Sequence, residues 1–230
     1  MAKVKFSALV SDMRNKLNGS VFSKNRAGNY LRNKTTPVNP RTSFQQAIRQ
    51  QLGSLSSKWS ALTELQRATW RGAVGSFPYT DIFGDKKELD GKSLMIKLNM
   101  NLLNAGKPTI DVAPQIVAIP ELSLDGAVAG VADGIELDVS PGTIPAGFSL
   151  MVYATAPQRA GVYFAKNKFR SLGVVAVAAG VADLTAVYQD RFGALSASDV
   201  GKAAFFKCAL VSDTSGQLGV PVDIRVSVQA

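Results

Sequence analysis

The chain has 230 residues, 46% of them hydrophobic, so it can bury a proper core and disorder along its whole length is excluded. Histidine is absent and cysteine occurs once; this removes the commonest general base, the usual activator of Ser and Cys nucleophiles, most zinc sites and any internal disulfide. The formal charge of +9 is concentrated at one end: residues 1 to 52 hold ten Lys or Arg against Asp12 alone, whereas residues 53 to 230 hold sixteen side chains of each sign.

Met1 to Ser7 is basic but lacks the apolar stretch of a signal peptide, and Val174 to Ala182 is too short to span a bilayer, so no membrane role is expected. Residues 1–42 read as a basic extended arm, rich in Asn, Lys, Arg and Thr, with turn signals at Asn18-Gly19 and Ala27-Gly28-Asn29. Val21 and Phe22 on one side of the second turn, with Tyr30 and Leu31 on the other, predict a small hairpin. Such a hairpin is marginal alone, so the arm is expected to be ordered by other chains or by its own body.

Residues 43–109 read as a helical segment. Asn39 is placed to cap and Pro40 to take the first helical position, after which Phe44, Ile48, Leu52, Leu55, Trp59 and Leu62 form one apolar stripe. Thr63 to Gln66 matches a capping box opening a second helix with Leu65, Ala68, Trp70 and Val74, stopped by Gly75-Ser76-Phe77-Pro78. Asp81 to Gly91 reads as a loop and Lys92 to Leu103 as a third helix, with Asn104-Ala105-Gly106 as its stop. Both Trp59 and Trp70 fall among the helical leucines, which assigns them to packing.

Residues 110–230 change to short β-prone runs: Gln115 to Ile119, Ile135 to Val139, Phe148 to Ala154, Gly161 to Phe164, Val174 to Val181, Ala203 to Val211 and Val222 to Val228. Seven strands with no long helix between them predict an antiparallel β-sandwich of the immunoglobulin-like kind, so the fold class is α+β: arm with hairpin, three helices, sandwich.

No catalytic constellation emerges. Gly91-Lys92-Ser93 matches the end of a phosphate-binding loop, but Lys86 stands where its first glycine is needed, and a helix start is the reading. Paired carboxylates exist in Asp133/Glu136/Asp138 and Asp81/Asp85, but Glu136 and Asp138 alternate with Ile135, Leu137 and Val139 as the solvent face of a strand, which leaves calcium or glycosidase-like use as the lesser alternative. Cys208 lies in an apolar run and reads as a small buried side chain. The expectation is therefore no enzyme, no cofactor, no metal and no small-molecule substrate.

What remains is the arm. Lys16, Lys24, Arg26, Tyr30, Arg32, Lys34, Arg41 and Arg49 are the candidate partner-binding residues, because a like-charged segment gains by lying against something acidic. An acidic protein surface is the leading partner. Nucleic acid is the alternative, since Phe22 and Tyr30 interleave with the basic residues.

Gly19-Ser20-Val21-Phe22-Ser23-Lys24, Gly28-Asn29-Tyr30-Leu31-Arg32, Pro37-Val38-Asn39-Pro40-Arg41-Thr42, Gln46, Arg49, Trp59, Leu62-Thr63, Gln66-Arg67 and Trp70 resemble a pattern in uncharacterised proteins of tailed bacteriophages and prophages that look like virion structural components. The resemblance is densest over residues 19 to 70 and carries no catalytic or binding residue. It implies a place in a phage particle assembled in the host cytoplasm, as a capsid-decorating or head-to-tail connector protein. Its expected partners are capsid, portal or neck subunits and further copies of itself.

Overall fold

Turns that tolerate left-handed backbone fold the N-terminal chain back on itself. Strand β1 (Ala2–Lys3) is followed by a meander of β2 (Asn15–Leu17), β3 (Ser20–Asn25) and β4 (Gly28–Asn33). Asn18, at φ +50°, turns β2 into β3. The four strands form an antiparallel sheet in the order β1-β4-β3-β2, with Val21 opposite Arg32 and Phe22 opposite Leu31, so the expected hairpin is present. The computed structural model describes residues 2–25, 28–80 and 86–230. Within them the chain divides into two compact units, Met1–Gln46 and Ala47–Ala230. The expected boundaries stood near 42 and 109; this division falls at 46, and everything from Ala47 through the C-terminal strands is one unit.

Helix α1 (Ser43–Ala61) starts three residues later than Pro40. Arg41 sits at φ +50°, off the helical path, and Thr42 Oγ1 accepts the Gln45 N–H at 3.3 Å, while Asn39 Oδ1 accepts from the Arg41 N–H. Along the apolar stripe Leu55 and Leu62 are buried, but Phe44 and Leu52 remain nearly half exposed.

Helix α2 (Glu64–Ala73) opens on the predicted box: Thr63 Oγ1 accepts the Gln66 N–H, and Gln66 Oε1 accepts the Thr63 N–H at 2.9 Å. Arg67 reaches back to the Trp59 and Ser60 carbonyls at 3.3 and 2.8 Å, which satisfies acceptors left open at the end of α1. A two-residue ribbon, β5 (Tyr79–Thr80) with β6 (Lys86–Lys87), precedes α3 (Gly91–Asn104). Helix α3 ends as expected at Gly106: the Gly106 N–H bonds the Leu103 carbonyl and the Lys107 N–H the Leu102 carbonyl, the paired bonds of a Schellman stop. Leu62, Trp70, Leu94, Met95 and Leu98 form the helical core, with Trp59 packed against it. Two polar groups lock the following chain to it. Trp70 Nε1 donates to the Asp111 carbonyl at 2.8 Å, and the buried Asn99 both donates to and accepts from the backbone of Ile110.

Beyond residue 120 the strands are β7 (Ser123–Gly130), β8 (Gly134–Ser140), β9 (Phe148–Ala154), β10 (Arg170–Val175), β11 (Val181–Asp183), β12 (Ala203–Ser212) and β13 (Val222–Ser227), with α4 (Thr185–Phe192) between β11 and β12. They make a four-stranded sheet, β10-β9-β12-β13, and a three-stranded sheet, β11-β8-β7, both antiparallel. Both sheets feed one apolar core: Ile135, Leu137 and Val139 from one, and Leu150, Val152, Ala204, Phe206, Cys208 and Leu210 from the other. Tyr188 of α4 enters the same core and donates to the Thr155 carbonyl at 2.9 Å. Strand β12 is nearly continuous in burial because its second face is covered as well. Ala203 and Phe205 lie under Val162 and Phe169, and Val211 packs with Met151 and Ala105.

Three expectations need correction. Gln115 to Ile119 is not a strand, since the Val117 N–H bonds the Gln217 side chain instead of a ladder. Gly161 to Phe164 is a loop. The run Val174 to Val181 is two strands, broken by a turn in which Ala178 and Val181 exchange backbone bonds. The four helices and the antiparallel sheets of the described residues make the chain α+β, with its C-terminal part rich in strands.

Candidate functional site

Strand alternation decides which arm residues can act together, because directly opposed residues of a sheet project to one side. Lys16 is opposite Val21 and Val21 opposite Arg32; Lys3 is opposite Tyr30 and Tyr30 opposite Ser23. Lys3, Lys16, Tyr30 and Arg32 therefore share one face. All three cations are exposed and Tyr30 is partly buried. Lys16 and Arg32 sit two strands apart, a backbone separation of about 10 Å at the usual strand spacing.

The other predicted residues do not join this face as strand members. Lys24 is opposite Asn29 and shares the second face with Phe22 and Leu31, where the Phe6 ring lies 6.5 Å from that of Phe22. Exposed Lys34 follows β4, its N–H bonding the Gly19 carbonyl at 2.8 Å. Arg41 lies on the approach to α1, Arg49 is on α1 in the second unit, and Arg26 lies outside the described residues. Lys3 was missed as a site residue. Its place depends on pairing across more than twenty residues, and the sequence offers only a two-residue strand as a signal.

The face has little internal counter-charge. Asp12 is the one carboxylate side chain in residues 1–46, and Arg14 engages it at 2.9 Å. Nine basic side chains against that one acid give this unit +8. An open hollow of about 770 Å³ is lined by Lys3, Lys5, Phe6 and Asn29, and the Asn29 Oδ1 is buried without a partner among the described residues.

Elsewhere the groups weighed for chemistry have structural surroundings. Glu136 and Asp138 face solvent in alternation with buried Ile135, Leu137 and Val139, and Asp133 is exposed in the preceding turn; Asp81 and Asp85 lie outside the described residues. Gly91-Lys92-Ser93 opens α3, and the Asp90 carboxylate accepts the Lys92 N–H at 3.2 Å, where a phosphate would otherwise sit. Burial pushes the Cys208 thiol up to about 12, so it stays protonated and unreactive. Among the described residues no group of three or more acidic or Cys side chains could hold a metal ion, and no helix is long and apolar enough to cross a membrane. No family model, curated protein or solved structure matches the chain.

Proposed function

We propose that this chain is a non-catalytic structural component of a tailed-bacteriophage particle, holding its place by docking the basic face of its N-terminal sheet on an acidic surface of a capsid, portal or neck subunit. The observation that carries this reading is the gathering of Lys3, Lys16 and Arg32 on one exposed face of a unit with a single carboxylate. Cations fixed on a sheet repel one another until an anionic surface compensates them, and a patch held by strand register meets carboxylates with less lost freedom than a disordered tail does. The resemblance over residues 19 to 70 supplies the setting. We read the two C-terminal sheets around their common core as an immunoglobulin-like sandwich that supplies the protein's bulk and its contacts with further copies.

A second reading has one observation in its favour: Tyr30 lies between Lys3 and Arg32, an aromatic among cations that suits a nucleic-acid strand. It predicts binding that falls steeply with salt.

Mass spectrometry of purified particles tests the proposal. The chain is expected at a copy number comparable to other structural subunits; absence, or trace amounts only, overturns it. A filter-binding titration separates the second reading, which fails if duplex and single-stranded DNA are both ignored at low salt.

A further inference from the structure

The zero net charge of residues 53 to 230 conceals a second segregation. Residues 108–158 contain six Asp or Glu and no Lys or Arg, and residues 159–182 contain four Lys or Arg and no acid. The fold puts Asp125, Glu136 and Asp138 of the first stretch and the basic loop of the second on opposite outward faces of the two sheets. Ile135, Leu137 and Val139 of β8 point into the core shared by the sheets, so Glu136 and Asp138 project from the far side of the three-stranded sheet. Asp183 of β11 is opposite Glu136 on that same side, and exposed Asp125 sits at the β7 bulge beside Asp138.

The basic stretch lies over the outward face of the other sheet. Ala204 and Phe206 enter the shared core, whereas Ala203 and Phe205 turn outward and are capped by Val162 and Phe169. Those two anchors hold the loop between them. At its tip Tyr163 and Phe164 are each 78% exposed, a large apolar exposure for adjacent aromatics. The tip is also braced: Arg225 donates to the Ala160 and Val162 carbonyls at 2.7 and 3.3 Å, and its guanidinium lies 4.9 Å from the Tyr163 ring centre. Exposed Arg159, Lys166 and Lys168 flank it in the same stretch, and one acid, exposed Asp223 opposite Lys207, shares that face.

We infer that the second unit self-associates head to tail, the Tyr163-Phe164 tip and its basic rim in one copy seating on the Asp125, Glu136, Asp138 and Asp183 face of the next. A second copy is the occupant because both complementary surfaces belong to one compact unit and face opposite ways. A rigid aromatic tip flanked by cations has the make-up of an interface hot spot. Two different patches meeting in this way form a heterologous contact, which closes into a ring or extends as a filament.

Analytical ultracentrifugation of the full chain tests this with two surface variants, Tyr163→Ser/Phe164→Ser and Glu136→Lys/Asp138→Lys. Wild type is expected to grow beyond one chain with concentration at low ionic strength and to return towards one chain in high salt. Each variant alone should need at least about tenfold higher concentration to associate. Mixed, the two variants should form a two-chain species and nothing larger, since each retains one intact surface. The Lys16→Glu/Arg32→Glu variant should associate like wild type; if it alone abolishes association, the contact is misassigned. The inference is also overturned if the mixture fails to pair, or if the loop variant associates normally while losing affinity for a single-stranded oligonucleotide. A wild-type chain that stays monomeric yet enters particles overturns this contact and leaves the proposed docking through the N-terminal sheet standing.

Discussion

Asp199 is clasped by three donors: Lys202 Nζ at 2.9 Å, Ser196 Oγ at 2.8 Å and the Ser196 N–H at 3.0 Å. The Lys202 ammonium first, and then the Ser196 bonds, hold its carboxyl down at about 2, against 3.8 for an ordinary one. Folding thus favours the ionised form. Its contribution to stability is full above pH 3.8 and is lost as pH falls through about 2. Asp199→Asn is expected to lower Tm at neutral pH, with the gap to wild type closing near pH 2; a gap of constant size would mean that the carboxylate charge is irrelevant. At this scale the sequence was uneven. Trp70 was legible as core from its helical spacing and proves fully buried, whereas Tyr188, equally buried, was not, because nothing in Thr185–Phe192 repeats strongly enough to announce a helix. The weak signals were Asp183, whose carboxylate accepts the Thr185 N–H, and Gly193 at the helix end.

Helices α1 to α3 were legible because a 3.6-residue period, a capping box and a Gly stop are all local features. Strands β8, β9, β12 and β13 were legible as β-branched and aromatic runs between turn residues. Strand β7 was not: Ser123–Gly130 contains an Asp, two Gly and two Ala, and it is a strand because β8 pairs with it. Arrangement between elements was less legible still. The turn after β12 meets α3 at Gly216, where φ is +71° and a Cβ would come 2.2 Å from the Leu98 carbonyl oxygen. Nearby, Asn101 Nδ2 donates to the Gly216 carbonyl at 2.9 Å, and Lys107 pairs with Asp213 at 2.8 Å. Gly216→Ala is expected to cost about 2 kcal/mol or more, from strained backbone and forced separation of turn and helix. Thermal unfolding should show a Tm several degrees lower, while Gly161→Ala, whose Cβ would meet nothing within 4 Å, should change little. Equal Tm values for the two variants would show that the turn yields freely.

For the whole molecule, composition located the basic end but not the working surface. Ten basic residues in 1–52 are visible without any structure. That Lys3, Lys16 and Arg32 share a face while Lys24 does not is a matter of register, set by Asn18-Gly19 and by a pairing of β1 with β4 that no local pattern encodes. The same limit hid the charge division of the second unit, since a sum of zero reads as neutrality until the strands place Asp125, Glu136, Asp138 and Asp183 on one sheet and the loop carrying Arg159, Lys166 and Lys168 over the other. Register supplies the sharpest test of whether the N-terminal sheet holds the protein in its assembly. Particle incorporation, quantified by mass spectrometry, should fall at least tenfold for Lys3→Glu/Lys16→Glu/Arg32→Glu, since three reversed charges at about 1 kcal/mol each exceed that factor. It should remain near wild type for Lys24→Glu on the opposite face. Equal incorporation of the triple variant and wild type would contradict docking through this surface.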